Sequence, residues 1–225
     1  MKKLIILLIP FQFVCASENF KTQIGQLYPN WEIGELAVGD LNKDGKDDAV
    51  VLHNLSEKKG DSQSAMNEVS LRFFFNDGNG NLKLFLDAPK AICATCGGLA
   101  GPGTDFTLEY KKGTIHVTMS GGARNRFSQT FIWRFQESNF SLIGVNEYAV
   151  DTYASEKGSI ESTETSANLS TLKMEVITHT LIKNRSEDDD PITQKSVKKC
   201  PVPASFRGIK IRKFDISSFE IPRCR

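Results

Sequence analysis

The stretch that decides the fold covers residues 69–86 and reads Val69-Ser-Leu-Arg-Phe-Phe-Phe75, Asn76-Asp-Gly-Asn-Gly-Asn81, Leu82-Lys-Leu-Phe-Leu86. Two apolar segments rich in residues that favour β-strands flank a turn built of Asn, Asp and Gly. Such turns between apolar runs are typical of β-hairpins, because Gly and Asn tolerate the positive φ angles that a tight hairpin turn requires. The stretch therefore predicts two antiparallel strands joined by a short turn.

Further strand patterns lie on both sides of this hairpin. They cover residues 31–38, 49–52, 106–110, 114–119, 128–135, 140–143, 172–182 and 209–216. A short N-terminal helix is predicted at residues 20–28, where Ile24, Leu27 and Tyr28 have helical spacing. Residues 155–168 are rich in Ser, Thr and Glu and are predicted to form a solvated loop. We therefore expect a mainly β fold in which antiparallel hairpins form a sheet or sandwich.

A second informative stretch is Asp40-Leu-Asn-Lys-Asp-Gly-Lys-Asp-Asp48, which has the layout of a calcium-binding loop. Oxygen-bearing side chains occupy loop positions 1, 3, 5 and 9, as Asp40, Asn42, Asp44 and Asp48. Lys46 at position 7 offers its backbone carbonyl, and Gly45 at position 6 permits the sharp turn. Calcium takes about six to eight hard oxygen ligands, and without a cation the crowded carboxylates repel one another at neutral pH.

The loop departs from a helix–loop–helix calcium site at position 12. Val51 stands there in place of the bidentate glutamate, within the predicted strand at residues 49–52. The alternative is a plain Asn/Asp/Gly turn between two strands. We favour a metal site. Asn/Asp/Gly turns are common, whereas four oxygen-bearing side chains at the ligand positions of a calcium loop, together with glycine at position 6, are less common. The predicted Ca²⁺ ligands are Asp40, Asn42, Asp44, Lys46 through its carbonyl, and Asp48.

The loop and the hairpin together resemble an FG-GAP or VCBS-type repeat, in a unit of about residues 36–86. The matching segments are Val38-Gly-Asp-Leu-Asn-Lys-Asp-Gly-Lys-Asp-Asp-Ala-Val-Val-Leu52 and Phe73-Phe-Phe-Asn-Asp-Gly-Asn-Gly-Asn-Leu82. Such repeats form calcium-binding blades in integrin α-subunit propellers and in many secreted bacterial proteins, so the resemblance implies calcium on the same ligands. A propeller needs several blades, and this chain has one such unit. We therefore expect one hairpin of another β-sheet domain and not a full propeller.

The N-terminus has the features of a secretory signal peptide. Met1-Lys2-Lys3 is positively charged, residues 4–10 are almost wholly apolar, and Val14-Cys15-Ala16 ends in small residues. Cleavage after Ala16 would leave residues 17–225 as a single β-rich domain, periplasmic or secreted. Segments 93–98, 121–126 and 131–144 also resemble bacterial periplasmic proteins, which supports that compartment. No later stretch approaches the roughly 20 apolar residues of a membrane helix.

Two further inferences concern the leader and the charge of the mature chain. A lipoprotein attached through Cys15 is the alternative to simple cleavage. It is less favoured, because Gln12-Phe13-Val14 lacks the usual Leu and small residues of a lipid-attachment site. Without Lys2 and Lys3 the chain carries 26 basic and 27 acidic residues. A balance this close to neutrality excludes a strong electrostatic footprint for nucleic acid or anionic membranes.

Four cysteines remain in the mature chain: Cys93, Cys96, Cys200 and Cys224. In an exported chain an even number suggests disulfides, and we expect the two pairs that are local in sequence. Cys200–Cys224 would staple the C-terminal tail, residues 186–225, by closing a loop of about 25 residues worth about 3 kcal/mol. Cys93-Ala-Thr-Cys96 has redox-motif spacing, but a structural disulfide is favoured because Gly97-Gly98 follows and no βαβ pattern surrounds it.

The remaining motifs do not specify a reaction. Arg124 and Arg126 follow a Gly-Gly turn and could bind an anion or a partner, although a turn with solvated arginines is favoured. We expect a calcium-binding interaction protein of the envelope, such as an inhibitor or immunity protein, with a protein or glycan partner. The alternative is a periplasmic enzyme, either a thiol–disulfide oxidoreductase using Cys93 and Cys96 or a carbohydrate-active hydrolase.

Overall fold

A computed structural model describes residues 12–55, 69–93, 104–153, 159–182 and 192–224. Within these residues the helix α1 spans Gln12–Leu27, and the other regular elements are strands and short 3₁₀ turns. The strands are β1 (Trp31–Gly39), β2 (Asp48–Leu55), β3 (Val69–Asn76), β4 (Leu82–Ala88), β5 (Asp105–Lys111), β6 (Thr114–Gly121), β7 (Asn125–Gln136), β8 (Asn139–Asp151), β9 (Ser159–Asn168), β10 (Lys173–Ile182) and β11 (Ile192–Pro201).

In the described part of the chain these strands form two antiparallel sheets. The small sheet has the order β1-β2-β3-β4, and the large sheet has the order β11-β10-β9-β8-β7-β6-β5. Within each sheet, strands that are consecutive in sequence therefore pair with one another, as hairpins do, and the chain passes from one sheet to the other between β4 and β5. The prediction of a mainly β fold with antiparallel hairpins and an N-terminal helix is confirmed. Neither described sheet closes into a barrel or a propeller, as the single repeat-like unit predicted.

The predicted hairpin at residues 69–86 is confirmed as β3 and β4. The strands meet at the Asn76–Leu82 pair, and the amides of Gly78 and Gly80 donate to the Asn76 side-chain oxygen over 2.9 and 3.2 Å. Both glycines have positive φ, 92° and 85°. The glycines of the turn therefore adopt the positive φ angles that the sequence predicted for a tight hairpin turn.

Two predictions about the second half of the chain are wrong. Residues 155–168 were expected to be a solvated loop, but Ser159–Asn168 forms β9, which pairs with β10 along its whole length and with β8 over residues 162–168. Its Ser and Thr side chains can remain partly solvated because the outer face of the sheet is open. Residues 209–216 were expected to be a strand, but they form one bridge, between Lys210 and Ser141, and two 3₁₀ turns.

The physical reason for the second error is the spacing of the buried side chains. Ile211 and Phe214 are both buried and lie three residues apart, which suits a 3₁₀ turn and not the two-residue alternation of a strand. Strand β11 was not predicted at all. Its residues 192–199 are exposed, so no alternation of apolar and polar residues marks it.

The main core lies between the two sheets and is largely aromatic. Phe73 of the small sheet packs against Phe140 of the large sheet with ring centroids 4.1 Å apart. The C-terminal segment after β11 completes this core, because Phe214 packs against Phe131 and Trp133 at 5.7 and 5.0 Å. Full burial of such side chains stabilises the fold by about 1.5–3 kcal/mol each.

A second core covers the opposite face of the small sheet. Phe20 and Ile24 of α1 are buried there against Val51 and Phe74. The small sheet is therefore covered on both faces, which explains why its central strands are nearly continuous apolar runs. No helix within the described residues is long and apolar enough to cross a membrane.

The predicted disulfide between Cys200 and Cys224 is confirmed, with Cα atoms 5.9 Å apart. It joins the end of β11 to the C-terminal segment. Beside it Arg223 donates to the buried Glu147 carboxylate over 2.5 Å. Cys93 is disulfide-bonded, and Cys96, its predicted partner, lies outside the described residues.

Candidate metal centre

The predicted calcium loop connects β1 to β2 at the end of the small sheet. Gly39 and Asp48 are paired across these strands, so residues 40–47 form a closed excursion. The Tyr110 hydroxyl of β5 donates to the Asp40 carbonyl over 3.1 Å. The Tyr110 ring also lies where a side chain at position 39 would be, only 2.3 Å from an added Cβ. Gly39 is therefore required for this close approach, which braces the loop against the large sheet.

Within the loop, the side chains at positions 1, 3 and 5 turn inward onto backbone amides. The two Asp40 carboxylate oxygens accept from the amides of Asp44 and Gly45 over 3.1 and 3.0 Å. Asn42 Oδ1 accepts from the same Asp44 amide over 2.9 Å. Since one amide donates to both, oxygens of Asp40 and Asn42 lie side by side. Asp44 in turn accepts from the Lys46 amide over 3.0 Å.

Asp48, at position 9, is fully buried beneath the loop. One of its oxygens accepts from the amides of Leu41 and Asn42 over 3.0 and 3.4 Å, and the other accepts from the Asn76 amide over 3.0 Å. Asp48 thus ties the start of the loop to the end of β3. Burial raises the pKa of Asp48, the amide hydrogen bonds oppose this effect, and the nearby Asp44 charge adds to it.

No basic side chain of the described residues balances the charge of this region. None of Asp40, Asp44, Asp47 and Asp48 forms a salt bridge with a basic side chain of the described residues. The ten salt bridges found there all involve other carboxylates. The Lys46 ammonium extends over the β3–β4 turn, where a Cβ at Gly78 would lie 2.5 Å from its nitrogen. Its charge therefore lies beside the neighbouring turn, and only its carbonyl is a candidate ligand.

The donor set fits a hard cation. Asp40, Asn42 and Asp44 offer carboxylate and amide oxygens, which suit Ca²⁺ or Mg²⁺ better than softer metals. Across the described ranges no group of three His, Cys, Asp or Glu side chains is arranged as a metal site. The Asp48 oxygens accept from backbone amides. A bound ion would depend on the Asn42 side chain and on backbone carbonyls as well as on carboxylates. The roles of Asp40, Asn42, Asp44, Lys46 and Asp48 as ligands all stay predictions.

The two arginines proposed as an anion patch have different surroundings. Arg124 forms a two-point ion pair with Asp151, both contacts being 3.1 Å, and its guanidinium lies 5.0 Å from the Tyr153 ring centre. The hydrogen bonds from Arg124 hold the pKa of Asp151 below its usual range. Arg126 is exposed on β7 opposite Val150. An incoming anion would therefore compete with Asp151 for Arg124, and anion binding stays a prediction.

Sequence reasoning missed a buried polar cluster on the small sheet. Arg72 of β3 is 5% exposed, pairs with Asp87 over 3.0 Å and donates to His53 Nδ1 over 3.1 Å. Its guanidinium lies 4.1 Å from the Trp31 ring and 4.4 Å from the Tyr28 ring. These cation–π contacts and the ion pair compensate for burying the charge. The signal is dispersed over 60 residues of ordinary strand sequence, so no local motif reveals it.

His53 is the most constrained member of this cluster. Its Nδ1 must accept from Arg72, so the ring proton lies on Nε2, which is buried without a partner among the described residues. Burial and the Arg72 charge lower the pKa of His53 to about 4. Ser70, its cross-strand neighbour, bonds to Asp87 instead. The cluster therefore does not form a Ser–His nucleophile pair.

The loop and this cluster lie on the same sheet but differ in accessibility. The loop exposes oxygen ligands at the surface, whereas the cluster is closed off by aromatic rings. The loop is thus the better candidate for a ligand site. No protein-family model matches the chain, and comparisons with curated proteins and with solved structures also gave no match.

Proposed function

We propose that the protein is an exported calcium-binding interaction protein of the cell envelope. The observation that carries this proposal is the convergence of Asp40 and Asn42 oxygens on the Asp44 amide, beside carboxylates that no described basic side chain neutralises. An ion bound there would supply the missing positive charge. The role is structural, since the loop joins two strands of the covered sheet.

The loop is well placed to transmit the effect of an ion to the fold. Asp48 ties it to β3 through the Asn76 amide, and Tyr110 ties it to the large sheet. An ion that binds only the folded state stabilises it by about 2.7 kcal/mol when its concentration is 100 times the dissociation constant. Calcium is plentiful outside cells, so a weak site would stay filled.

The interaction role is supported by the surface that the large sheet leaves open around β9, β10 and β11. A narrower form of the proposal is an inhibitor or immunity protein that occludes a toxin or hydrolase in the envelope. A pull-down from periplasm with the calcium-loaded protein tests this form. Capture of one hydrolase, with loss of its activity in the complex, is the expected result.

The calcium proposal is tested by thermal unfolding with calcium and with a chelator. We expect calcium to raise the melting temperature of the wild type by several degrees, and Asp44→Ala to abolish this rise. Asp44→Asn is the sharper variant, because it keeps an acceptor for the Lys46 amide but removes the charge. Magnesium in place of calcium tests the choice of ion.

Asp77→Ala is the matched control. Asp77 lies in the neighbouring β3–β4 turn and accepts from the Asn79 and Asn81 amides, so it resembles Asp44 without belonging to the loop. It should retain the full response to calcium. Equal melting of the wild type in calcium and in chelator would refute the site.

A further inference from the structure

The outer face of the large sheet carries a groove that crosses β7, β8, β9 and β10. Its cavity has a volume of about 350 Å³. Two rows of cross-strand neighbours form its floor, Ser128, Tyr148 and Glu164 in one row, and Asn146, Ser166 and Glu175 in the other. We call this surface the outer groove.

The groove continues towards the edge of the sheet. A second cavity, of about 720 Å³, shares Ser166 and Glu175 with it and extends to Lys199 on β11. Neighbouring strands are about 4.8 Å apart, so the path from β7 to β11 is roughly 19 Å long. This length suits a short chain of linked units better than a single small molecule.

The sheet beneath the groove is held rigidly from its other face. Glu147, between Asn146 and Tyr148, points to the covered side, where it accepts from Gln129 over 3.0 Å and pairs with Arg223. Ala167 and Met174 are buried on that same side. The backbone under the groove is therefore fixed before any ligand arrives, which lowers the entropic cost of binding.

The side chains of the groove offer stacking and hydrogen bonding together. The Tyr148 side chain is 42% exposed, so its ring is available to a ligand. Asn146 Oδ1 accepts from the Ser166 hydroxyl over 2.9 Å, which leaves the Asn146 NH₂ group as a donor with no partner among the described residues. Glu164 and Glu175 supply carboxylate acceptors.

The charges of the groove favour a neutral ligand. Lys199 lies 3.1 Å from Glu175 and compensates its charge, and Glu164 lies 3.8 Å from His179, which is an ionic partner only when its ring is protonated. The Glu164 carboxylate would repel an anion and a cation would compete with Lys199 for Glu175, whereas a neutral ligand does neither. Hydroxyl groups both donate and accept hydrogen bonds, and the apolar face of a sugar ring stacks on an aromatic side chain.

We infer that the outer groove binds a neutral oligosaccharide, with Tyr148 stacking on a sugar ring and Asn146, Glu164 and Glu175 bonding to its hydroxyls. This inference rests on the proposed role as a binding protein and names its ligand class. It does not depend on calcium at the Asp40 loop.

The test is isothermal titration calorimetry of the full mature chain with chitohexaose, cellohexaose and maltohexaose. At least one of these is expected to bind, and Tyr148→Ala should weaken that binding at least 10-fold. Tyr148→Phe keeps the ring and should bind within about 3-fold of the wild type. Asn146→Ala should weaken binding several-fold.

Tyr153→Ala is the matched control, because Tyr153 is more exposed than Tyr148 but stacks on Arg124 outside the groove. It should bind like the wild type. Should Tyr148→Ala fail to fold, Glu164→Gln in the floor of the groove provides a second test, again as a loss of affinity. Absence of binding to all three oligosaccharides would overturn the inference, as would equal losses in Tyr148→Ala and Tyr153→Ala.

A protein that binds the groove through Tyr148 while no oligosaccharide does so would also overturn it. The two proposals fail separately. The calcium test measures melting temperature, and its result does not change if the groove binds no sugar. Conversely, sugar affinity is measured by calorimetry in the presence of chelator, so it can be detected even if the Asp40 loop binds no calcium.

Discussion

The two sheets use the same antiparallel pairing but differ in what covers them. In the small sheet, residues 70–74 of β3 are buried between the large sheet on one face and α1 on the other. In the large sheet, residues 192–199 of β11 are exposed. Strand pairing alone therefore does not produce burial. Burial depends on the elements that pack on each face of a sheet. The small sheet has such an element on both faces, whereas β11 lies at the uncovered part of the large sheet.

This difference matters for the candidate functions. The candidate calcium loop belongs to the covered sheet, where fixing two strands stabilises the core they share. The outer groove belongs to the open sheet, where polar side chains remain available. A ligand that binds only the folded state stabilises it at either site, by an amount set by the ligand concentration relative to its dissociation constant.

The largest expected effect is in the shared core. Phe73→Ala removes a buried ring that packs on Phe140, and such truncations cost about 3–5 kcal/mol. Val197→Ala on β11 alters a half-exposed side chain and should change the free energy of unfolding by at most about 0.5 kcal/mol. Urea unfolding measures both. Similar losses for the two variants would break the contrast between covered and open strands.

The next effect concerns the C-terminal segment that covers the inner face of the large sheet. Replacing Cys200 and Cys224 together by Ser should lower the free energy of unfolding by about 3 kcal/mol, because the unfolded chain is no longer constrained. The double variant is preferable to a reductant, which would also open the disulfide of Cys93. Unchanged stability in urea would show that the tail is held by packing alone.

A pH-dependent effect should separate the covered from the open histidine. The unfolded His53 imidazole binds a proton with a pKa near 6.5, and the folded one only near 4. Between these values the unfolded state holds more protons, so stability falls as pH drops from about 6.5 to about 4 and is not lost further below. The total is about 3 kcal/mol for a shift of this size.

Urea unfolding of the wild type and of His53→Gln at pH 7.5 and 4.5 measures this loss of stability on acidification. The variant should lose less stability than the wild type on acidification. His179→Gln, on the more open β10, is the control and should behave like the wild type. A wild type and His53→Gln with identical pH dependence would contradict the buried neutral imidazole.

The smallest expected effect is that of the ion pair under the outer groove. Arg223→Ala leaves the buried Glu147 with Gln129 as its remaining partner and should cost about 1 kcal/mol, since the arginine itself is largely exposed. Arg124→Ala breaks an ion pair in which both partners are exposed and should change stability less. Chemical denaturation resolves the order of the two, and the reverse order would contradict the described burial of Glu147.

Much of the first half of the chain could be predicted from the sequence, because its signals are local. Apolar runs around a Gly/Asn turn define β3 and β4, and the Asp40–Asp48 spacing predicts a coiled loop whose inward side chains the structure contains. The Cys200–Cys224 pair was predicted correctly for the same reason, since proximity in sequence favours closing a short loop.

The second half of the chain was harder to predict from the sequence, because some of its strands form only by pairing with neighbouring strands and carry no local strand pattern. β9 reads as a polar loop, and only pairing with β8 and β10 makes Ser159–Asn168 a strand. β11 has no apolar face, so its exposure hides it. The His53 and Arg72 cluster was missed because its members come from different strands, and burial changes the chemistry of residues that are ordinary in isolation.

By itself, then, the sequence determined the hairpin turns, the fully apolar strands and the inward coil of the Asp40 loop, because each depends on residues a few positions apart. Only the tertiary structure decided which strands are covered, where Arg72 and His53 meet, and that the outer groove stays open above a sheet held by Glu147 and Arg223. Those features depend on contacts between distant segments, which exist only once the chain has folded.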